Sequence, residues 1–489
     1  MLLTPELCVI GGGAAGLSVA AGAARLGASV VLVDAAIATE GPLAGVMGGD
    51  CLLTGCVPSK ALLAVAQKQM QAGAGRLDWS AVMTQVRAAQ ATIAPHDSVE
   101  RFTALGVTVL SGTARFESAR DVIVTVHGGG LTVVRARRVV IATGSLPRRP
   151  VIAGLDQVSA LTSETLFNLT ELPLYLGILG GGPQGVEMAQ AFRRLGAEVT
   201  LITDGPLLPQ EEPALVSCLR HRLIEEGVVL REGSGLRRVD PSGTAIRLTL
   251  GDDAALTVSH LLLATGRVPR TAGLGLAAAG IAFDAAGITV GRGFRTTNRR
   301  VYAIGDVAAP DGEPGPRQTH MAGWQAGQVI RAALFRLRGT TVVPVPRAIW
   351  TDPELAWVGL TEAEARRQSG GASVRVVTAG FEANDRAVTE QRTDGHCRLV
   401  LVRRQIWPGI RLPGWRLAGA GAAGAGAGAL LPVLTLAVQG TISLAALASQ
   451  IVPYPSRAEV VKAAAGQAVG PLVFSAPVRA IVRLLRRLP

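Results

Sequence analysis

Cys51 and Cys56 stand five residues apart in GGDCLLTGCVPSKALL, residues 48–63. Along a regular α-helix five residues rise about 7.5 Å, whereas a disulfide holds its Cα atoms roughly 4.4–6.8 Å apart. The two sulfurs can join only where residues 51–56 leave helical geometry, and Gly55 eases that departure. Pro58 suits a first helical turn, so a helix is expected to start near Cys56. The positive end of that helix favours a thiolate. The pattern therefore reads as a dithiol–disulfide couple that carries two electrons. Cys8, Cys218 and Cys397 have no partnered spacing and read as packing residues. The six histidines do not cluster, so no metal-ligand set is expected.

An electron-carrying couple needs a source, and the chain holds two segments built to grip dinucleotides. In ELCVIGGGAAGLSVAAGAARLGASVVLVD an apolar strand runs into Gly11, Gly13 and Gly16. The first glycine permits a tight turn, the second lets backbone approach a pyrophosphate, and the third lets the helix pack on the strand. Asp34 ends the next strand, where a carboxylate accepts from an adenosine ribose hydroxyl. The pattern returns as Gly180, Gly182 and Gly185 in LYLGILGGGPQGVEMAQAFRRLGAEVTLIT. There Thr203 stands in the place of Asp34 and Asp204 follows it. Two such units suggest a flavin dinucleotide beside a nicotinamide dinucleotide. Asp204 would repel a 2′-phosphate and no Arg follows closely, which favours NADH over NADPH.

These motifs require a frame of strands. VVIATGSLPR (139–148) and LLLATGRVPR (261–270) match each other, each an apolar strand ending in Ala-Thr-Gly. RRVYAIGDVA (299–308) is another, ending at Gly305 and Asp306, where a carboxylate could take a ribityl hydroxyl. The first dinucleotide domain is thus expected over residues 1–150 and 271–344, interrupted by the second over 151–270. From about Val345 short strands and apolar helical stretches suggest an α+β domain over 345–489. The fold class is α/β, with two Rossmann-like domains and this terminal one.

Composition narrows the function classes. Hydrophobic residues make up 48% and charged ones 17% of 489, which excludes a disordered chain. The net charge is +12, but only Lys60, Lys68 and Lys462 among the 48 basic residues are Lys. No dense basic run with interleaved aromatics points to nucleic acid. The N-terminus carries Glu6 and lacks a basic leader, so no signal peptide and a cytoplasmic location are expected. The uncharged stretch Leu417–Ser456 is rich in Gly and Ala and broken by Pro432, so it reads as domain core rather than a membrane span. The basic C-terminal segment, with Arg479, Arg483, Arg486 and Arg487, could lie on a membrane surface, though a docked terminal helix is the favoured reading.

On these motifs and their order, the chain resembles the class I pyridine nucleotide-disulfide oxidoreductases over nearly its whole length. That family contains dihydrolipoamide dehydrogenase, glutathione reductase and mercuric reductase. GGDCLLTGCVPSKALL, IAPHDSVERF (93–102) and IVPYPSRAE (451–459) look most like a mercuric reductase-like branch. The resemblance implies that NADH or NADPH reduces FAD, which reduces the Cys51–Cys56 disulfide. Cys56 would lie nearer the flavin, and Cys51 would meet a small-molecule acceptor: a disulfide, a thiol-bound metal ion or a small oxidant. It implies that Lys60 sits beside the flavin paired with Glu187, and that Gly49, Ala114, Gly144 and Gly266 are cofactor-binding positions. His320 would lie in a helix near the flavin, while His96 reads as structural. It further implies a homodimer whose C-terminal domain sends a base into the partner's active site. At that place the chain has Tyr454, with Glu459 behind it, where thiol reductases have His. A tyrosine, with an ordinary pKa near 10, is a poor base at neutral pH. The tail SAPVRAIVRLLRRLP also lacks the vicinal cysteines with which mercuric reductases hand over metal. A dihydrolipoyl dehydrogenase is the alternative enzyme, and a non-catalytic flavoprotein at a membrane surface is the rival of another class.

Overall fold

Two short apolar strands, each ahead of a glycine turn, lie among parallel neighbours in two sheets, the first of which also carries antiparallel strands. The computed structural model describes residues 1–73, 78–340, 343–369, 373–407 and 410–488. The chain divides into two compact units. The first comprises Met1–Gly180, Ala191–Asp204 and Ser234–Val342, and the second Gly181–Gln190, Gly205–Gly233 and Val343–Pro489.

In chain order the first unit carries β1 (Leu7–Ile10), α1 (Ala14–Arg25), β2 (Val30–Asp34), α2 (Gly49–Leu53), α3 (Cys56–Ala72), α4 (Trp79–Ile93) and α5 (Val99–Ala104). Then come β3 (Val107–Phe116), β4 (Arg138–Ile141), β5 (Ser145–Pro147) and β6 (Tyr175–Leu179). Past α6 (Pro183–Arg194), which the two units share, follow β7 (Glu198–Thr203), β8 (His260–Leu263), β9 (Arg267–Pro269), β10 (Val301–Ala303) and α7 (Thr319–Ala333). Around β1 the strands lie in the parallel order β3–β2–β1–β4–β10. Around β6 the order is β7–β6–β8, again parallel. Leu7, Cys8, Val9, Val31, Leu32 and Val140 are all buried, as expected of strands covered on both faces.

The two Ala-Thr-Gly segments leave their sheets and meet. β5 and β9 pair antiparallel, Ser145 opposite Pro269 and Pro147 opposite Arg267. The hydroxyl of Thr143 donates to the carbonyl of Arg270 at 2.8 Å, and that of Thr265 to the carbonyl of Arg148 at 2.9 Å. The amide of Arg270 donates to Gly144 O, and that of Arg148 to Gly266 O, both at 2.9 Å. Each motif thus makes to the other the bonds it receives.

The second unit is built on an antiparallel sheet in the order β11 (Arg347–Ile349), β12 (Glu354–Gly359), β15 (Ile410–Gly424), β14 (His396–Trp407), β13 (Val374–Gly380). The Gly/Ala run of residues 418–424 is therefore the end of a central strand, which low β-propensity hides in the sequence. Close approach explains it. Gly421 lies opposite the buried Trp357, and a Cβ on Gly421 would come within 2.0 Å of Ala356 O. Helices α8 (Leu431–Val438) and α9 (Glu459–Val473) bury Leu431, Leu434, Val460, Val461 and Ala464 against this sheet. A last helix, α10 (Ala476–Leu485), buries none of its residues. This corrects the expectation of a docked terminal helix: α9 carries the apolar face that fits the sheet, and the chain bends by 72° before α10.

Candidate active site

The first glycine motif shows three different reasons for glycine. Gly11 has φ +110°, and a Cβ there would lie 2.3 Å from Ala142 O, at the end of β4. A Cβ on Gly16 would lie 1.8 Å from Gly11 O. Gly13, with φ −84°, has no atom within 4 Å of a Cβ position. Neither backbone nor packing asks for glycine at Gly13, so the open space at the N-terminus of α1 fits a close-lying phosphate. The second motif repeats this. Gly180 has φ +119° and would meet Ala264 O at 2.3 Å, while Gly182 has nothing within 4 Å. Gly185 lies in α6, and Thr203 ends β7.

Asp34 ends β2 with its carboxylate buried. Its Oδ1 accepts from the amide of Ala36 at 3.2 Å. Its Oδ2 has no hydrogen-bond partner among the described residues. A buried acceptor left open costs about 1–3 kcal/mol, which a sugar hydroxyl would return. Asp34→Ala is therefore expected to weaken FAD binding roughly ten- to hundredfold. The FAD retained through gel filtration, read by absorbance, measures this, and full occupancy in the variant would remove Asp34 from the site.

The cysteine segment is attached to this cradle. The amide of Gly48 donates to Gly12 O at 2.8 Å, and a Cβ on Gly49 would touch Gly13 Cα at 3.0 Å. Helix α2 ends at Leu53 and α3 begins at Cys56, with Thr54 and Gly55 breaking the helical path between them. The anticipated kink and helix start are both present. Both cysteines are free thiols and hydrogen-bond to each other. The bond from Cys51 draws the Cys56 thiol down to about 6, helped by the hydroxyl of Thr319 and the charge of Lys60, against burial and Asp50. The Cys51 thiol is pushed up, first by that same bond and then by burial. Thr319 is the first residue of α7, and its Oγ1 lies 3.4 Å from Cys56 Sγ. A cavity of about 380 Å³ opens beside Cys51, walled by Leu17, Phe102, Thr319, Asp97 and Arg101. Burial pushes the Asp97 carboxyl up.

Asp306 sits in the turn after β10. Gly305 there has φ +72°, and its amide donates to Gln325 Oε1 at 2.6 Å. A Cβ on Gly305 would come within 3.3 Å of Ala15 Cβ, so the turn abuts the start of α1. Asp306 accepts from Ser145 Oγ at 2.6 Å. Arg267 ties this group to the cysteines. It donates to Ser145 Oγ at 2.7 Å and Ser145 O at 2.9 Å, lies 3.8 Å from Asp306, and bridges Asp50 at 3.0 Å. Neither Asp50 nor Arg267 was among the expected site residues. Ser145 and Arg267 hold the same place after the two Ala-Thr-Gly motifs, and comparing those copies was the available signal.

Arg267 pairs with Asp50, whose charge raises both thiols. Arg267→Met is expected to raise the pH at which Cys56 becomes a thiolate by about one unit, and Asp50→Asn to lower it. The double variant should return near the wild-type value. Alkylation rate of the reduced protein against pH checks this, and shifts of the same sign in both single variants would refute it.

Other expected residues have these surroundings within their own units. Ala114 is buried in β3, three residues past Ser111, the register partner of Asp34. In the second unit Glu187 is buried and accepts from the amide of Trp350 at 2.9 Å. Tyr454 is 72% exposed and donates its hydroxyl to Asp385 at 2.7 Å, a bond that, with the charge of Asp385, raises its pKa. Glu459 begins α9 and accepts from the amide of Ser456 at 3.1 Å. Burial pushes Cys8 and Cys397 up to about 12, in keeping with packing roles.

Known proteins match this arrangement. Residues 5–326 match the family "Pyridine nucleotide-disulphide oxidoreductase", and residues 345–465 its dimerisation domain. The chain is 34% identical to a mercuric reductase of Streptomyces lividans over 480 residues, covering 94% of this chain and 95% of that protein. It is 33% identical to a dihydrolipoyl dehydrogenase of Bacillus subtilis (strain 168) over 411 residues, 81% and 85% of the two. The HOCl-induced flavoprotein disulfide reductase RclA of Escherichia coli, solved as a Cu(II) complex, has a TM-score of 0.82 at 25% identity, over 95% of this chain and 99% of that one. LpdA of Mycobacterium tuberculosis has a TM-score of 0.82 at 26% identity, over 94% and 99%. With the open glycines and the unmatched Asp34 oxygen fitting a dinucleotide, the chain belongs to the pyridine nucleotide-disulfide oxidoreductases, enzymes that use FAD and NAD(P)H.

Proposed function

We propose that the chain takes electrons from NADH and delivers them through Cys51 and Cys56 to a thiolate-bound soft metal ion, in the manner of the mercuric reductases it resembles. FAD, when bound, supplies the relay of two electrons from the nicotinamide to the cysteine pair. Gly11, Gly13, Gly16, Asp34, Gly49, Gly144, Gly305 and Asp306 would hold it, with Ala114 beside the adenine end and Lys60 on the cysteine side. Gly180, Gly182, Gly185, Thr203 and Gly266 would serve the nicotinamide nucleotide, and Glu187 would keep the catalytic role beside the flavin that the resemblance gives it. The neutral Thr203 and the acidic Asp204 suit an unphosphorylated ribose, hence NADH. On this reading Cys51 meets the acceptor from its cavity and Cys56 stays the thiolate. The domain limits follow the motifs, 1–150 with 271–344, 151–270 and 345–489, and the last domain makes the homodimer of a cytoplasmic enzyme.

The observation that carries the choice of acceptor is the Tyr454–Asp385 bond. A hydroxyl already donating to a carboxylate, with its pKa raised, cannot take a proton from a dithiol near neutrality. Displacement of thiol ligands from a soft metal by thiolates needs no such base. Dihydrolipoamide oxidation does, which weighs against the alternative that the B. subtilis relative suggests. The FAD-loaded protein is expected to oxidise NADH with Hg(II) in excess thiol at least tenfold faster than it turns over dihydrolipoamide with NAD. Tyr454→His, with Glu459 orienting the imidazole, should raise the dihydrolipoamide rate. Wild-type dihydrolipoamide turnover of roughly 10 per second or more would replace this reading with dihydrolipoyl dehydrogenase.

A further inference from the structure

We infer that α10 is a docking helix for an anionic lipid surface. Its apolar residues are exposed, as are those leading into and out of it: Phe474 is 72%, Ile481 56%, Leu484 65% and Leu488 64% accessible. At about 100° per residue, Arg479, Arg483, Arg486 and Arg487 share one narrow side of the helix. Val478, Ile481, Val482, Leu484 and Leu485 fill the opposite side. Amides of Arg486 and Arg487 still donate to carbonyls of Val482 and Leu484, so the projection holds through the last arginine. An apolar face about half the circumference wide, flanked by arginines, is the design of a helix lying in a membrane interface.

Charge selects the occupant. Residues 460–488 hold Lys462 and these four arginines and no Asp or Glu. A symmetric contact with a second copy through the apolar face would leave the arginines on the outer side, with no counter-charge from the segment itself. The match to the dimerisation domain also ends at residue 465, before the helix begins. Anionic headgroups supply both the counter-charge and an apolar phase. The helix lies on the surface rather than crossing it: its ten residues are half a span, and α9, across the 72° bend, is buried against the sheet of its own unit.

The test is flotation of the full-length FAD-loaded protein with vesicles of phosphatidylcholine, alone or with about one-third phosphatidylglycerol. Binding to the anionic vesicles is expected to be at least about tenfold tighter than to neutral ones and to fall at high salt. Replacing Arg479, Arg483, Arg486 and Arg487 together by Gln should abolish the difference. Ile481→Asp with Leu485→Asp should abolish binding, with an unchanged mass by light scattering. NADH-dependent reductase rates without vesicles should be the same in all three proteins, which separates this inference from the acceptor assignment. Equal binding to both vesicle types, or no binding to either, would overturn it. So would an Ile481→Asp/Leu485→Asp variant that dissociates into monomers, since a second copy would then cover the face.

Discussion

Cys51→Ser is expected to lower NADH-dependent metal-thiolate turnover by about a thousandfold or more while keeping the long-wavelength absorbance of a thiolate against the flavin. Cys56→Ser should lose turnover to a similar degree and lose that absorbance as well. The reason lies in the asymmetry of the pair. Cys56 is the sulfur drawn down, by Cys51, Thr319 and Lys60, and Cys51 is the one pushed up. In the two-electron-reduced wild type the band should be present above pH about 6 and fade as pH falls through that value. Removing Cys51 takes away the largest lowering influence, so in Cys51→Ser the band should fade at a higher pH unless the serine hydroxyl replaces the bond. Stopped-flow spectra and a pH titration of both variants measure this. A band kept in Cys56→Ser and lost in Cys51→Ser would reverse the roles.

Two glycines of the second motif should fail in opposite ways. Gly180→Ala forces a Cβ to 2.3 Å from Ala264 O at a φ of +119°, a cost of about 2–5 kcal/mol, so it should lower Tm and abolish NADH binding. Gly182→Val adds a side chain where no atom lies within 4 Å and φ is not left-handed, so Tm and FAD content should not change. NADH affinity should nonetheless fall by about a hundredfold or more, because the valine occupies the approach to the pyrophosphate. Thermal melts paired with anaerobic NADH titration separate the two effects. Wild-type NADH affinity in Gly182→Val would leave that glycine without a role at the nucleotide.

What could be read in advance was local in sequence. The broken helix between Cys51 and Cys56 follows from five residues and a glycine. The strands and helix around Gly11 and Gly180 follow from apolar runs closed by turns. The Asp50–Arg267 bridge joins residues more than two hundred positions apart and is set only when β5 and β9 pair, so no local spacing announces it. In α7 the family resemblance singles out His320, whereas the neighbouring Thr319 reaches Cys56 because the first turn of that helix points its hydroxyl there. The strand at residues 418–424 was hidden because Gly and Ala signal strand poorly, yet closeness to Trp357 is what requires them. α10 was expected to dock because its apolar face is real; only the packed chain shows that the docking surface is already filled by α9.

The strand order around β1 also dictates when the protein can be completed. β10 pairs with β4, yet some 160 residues separate them in the chain. Everything between β4 and β10, including the second parallel sheet, must leave the ribosome before the edge of the first sheet is closed and Asp306 arrives beside Ser145. Until then β4 offers an unpaired edge, a state prone to wrong association. If Asp306 holds FAD as proposed, tight capture of FAD must wait for β10, and a chain stalled before it would have its glycines and cysteines in place but not that carboxylate.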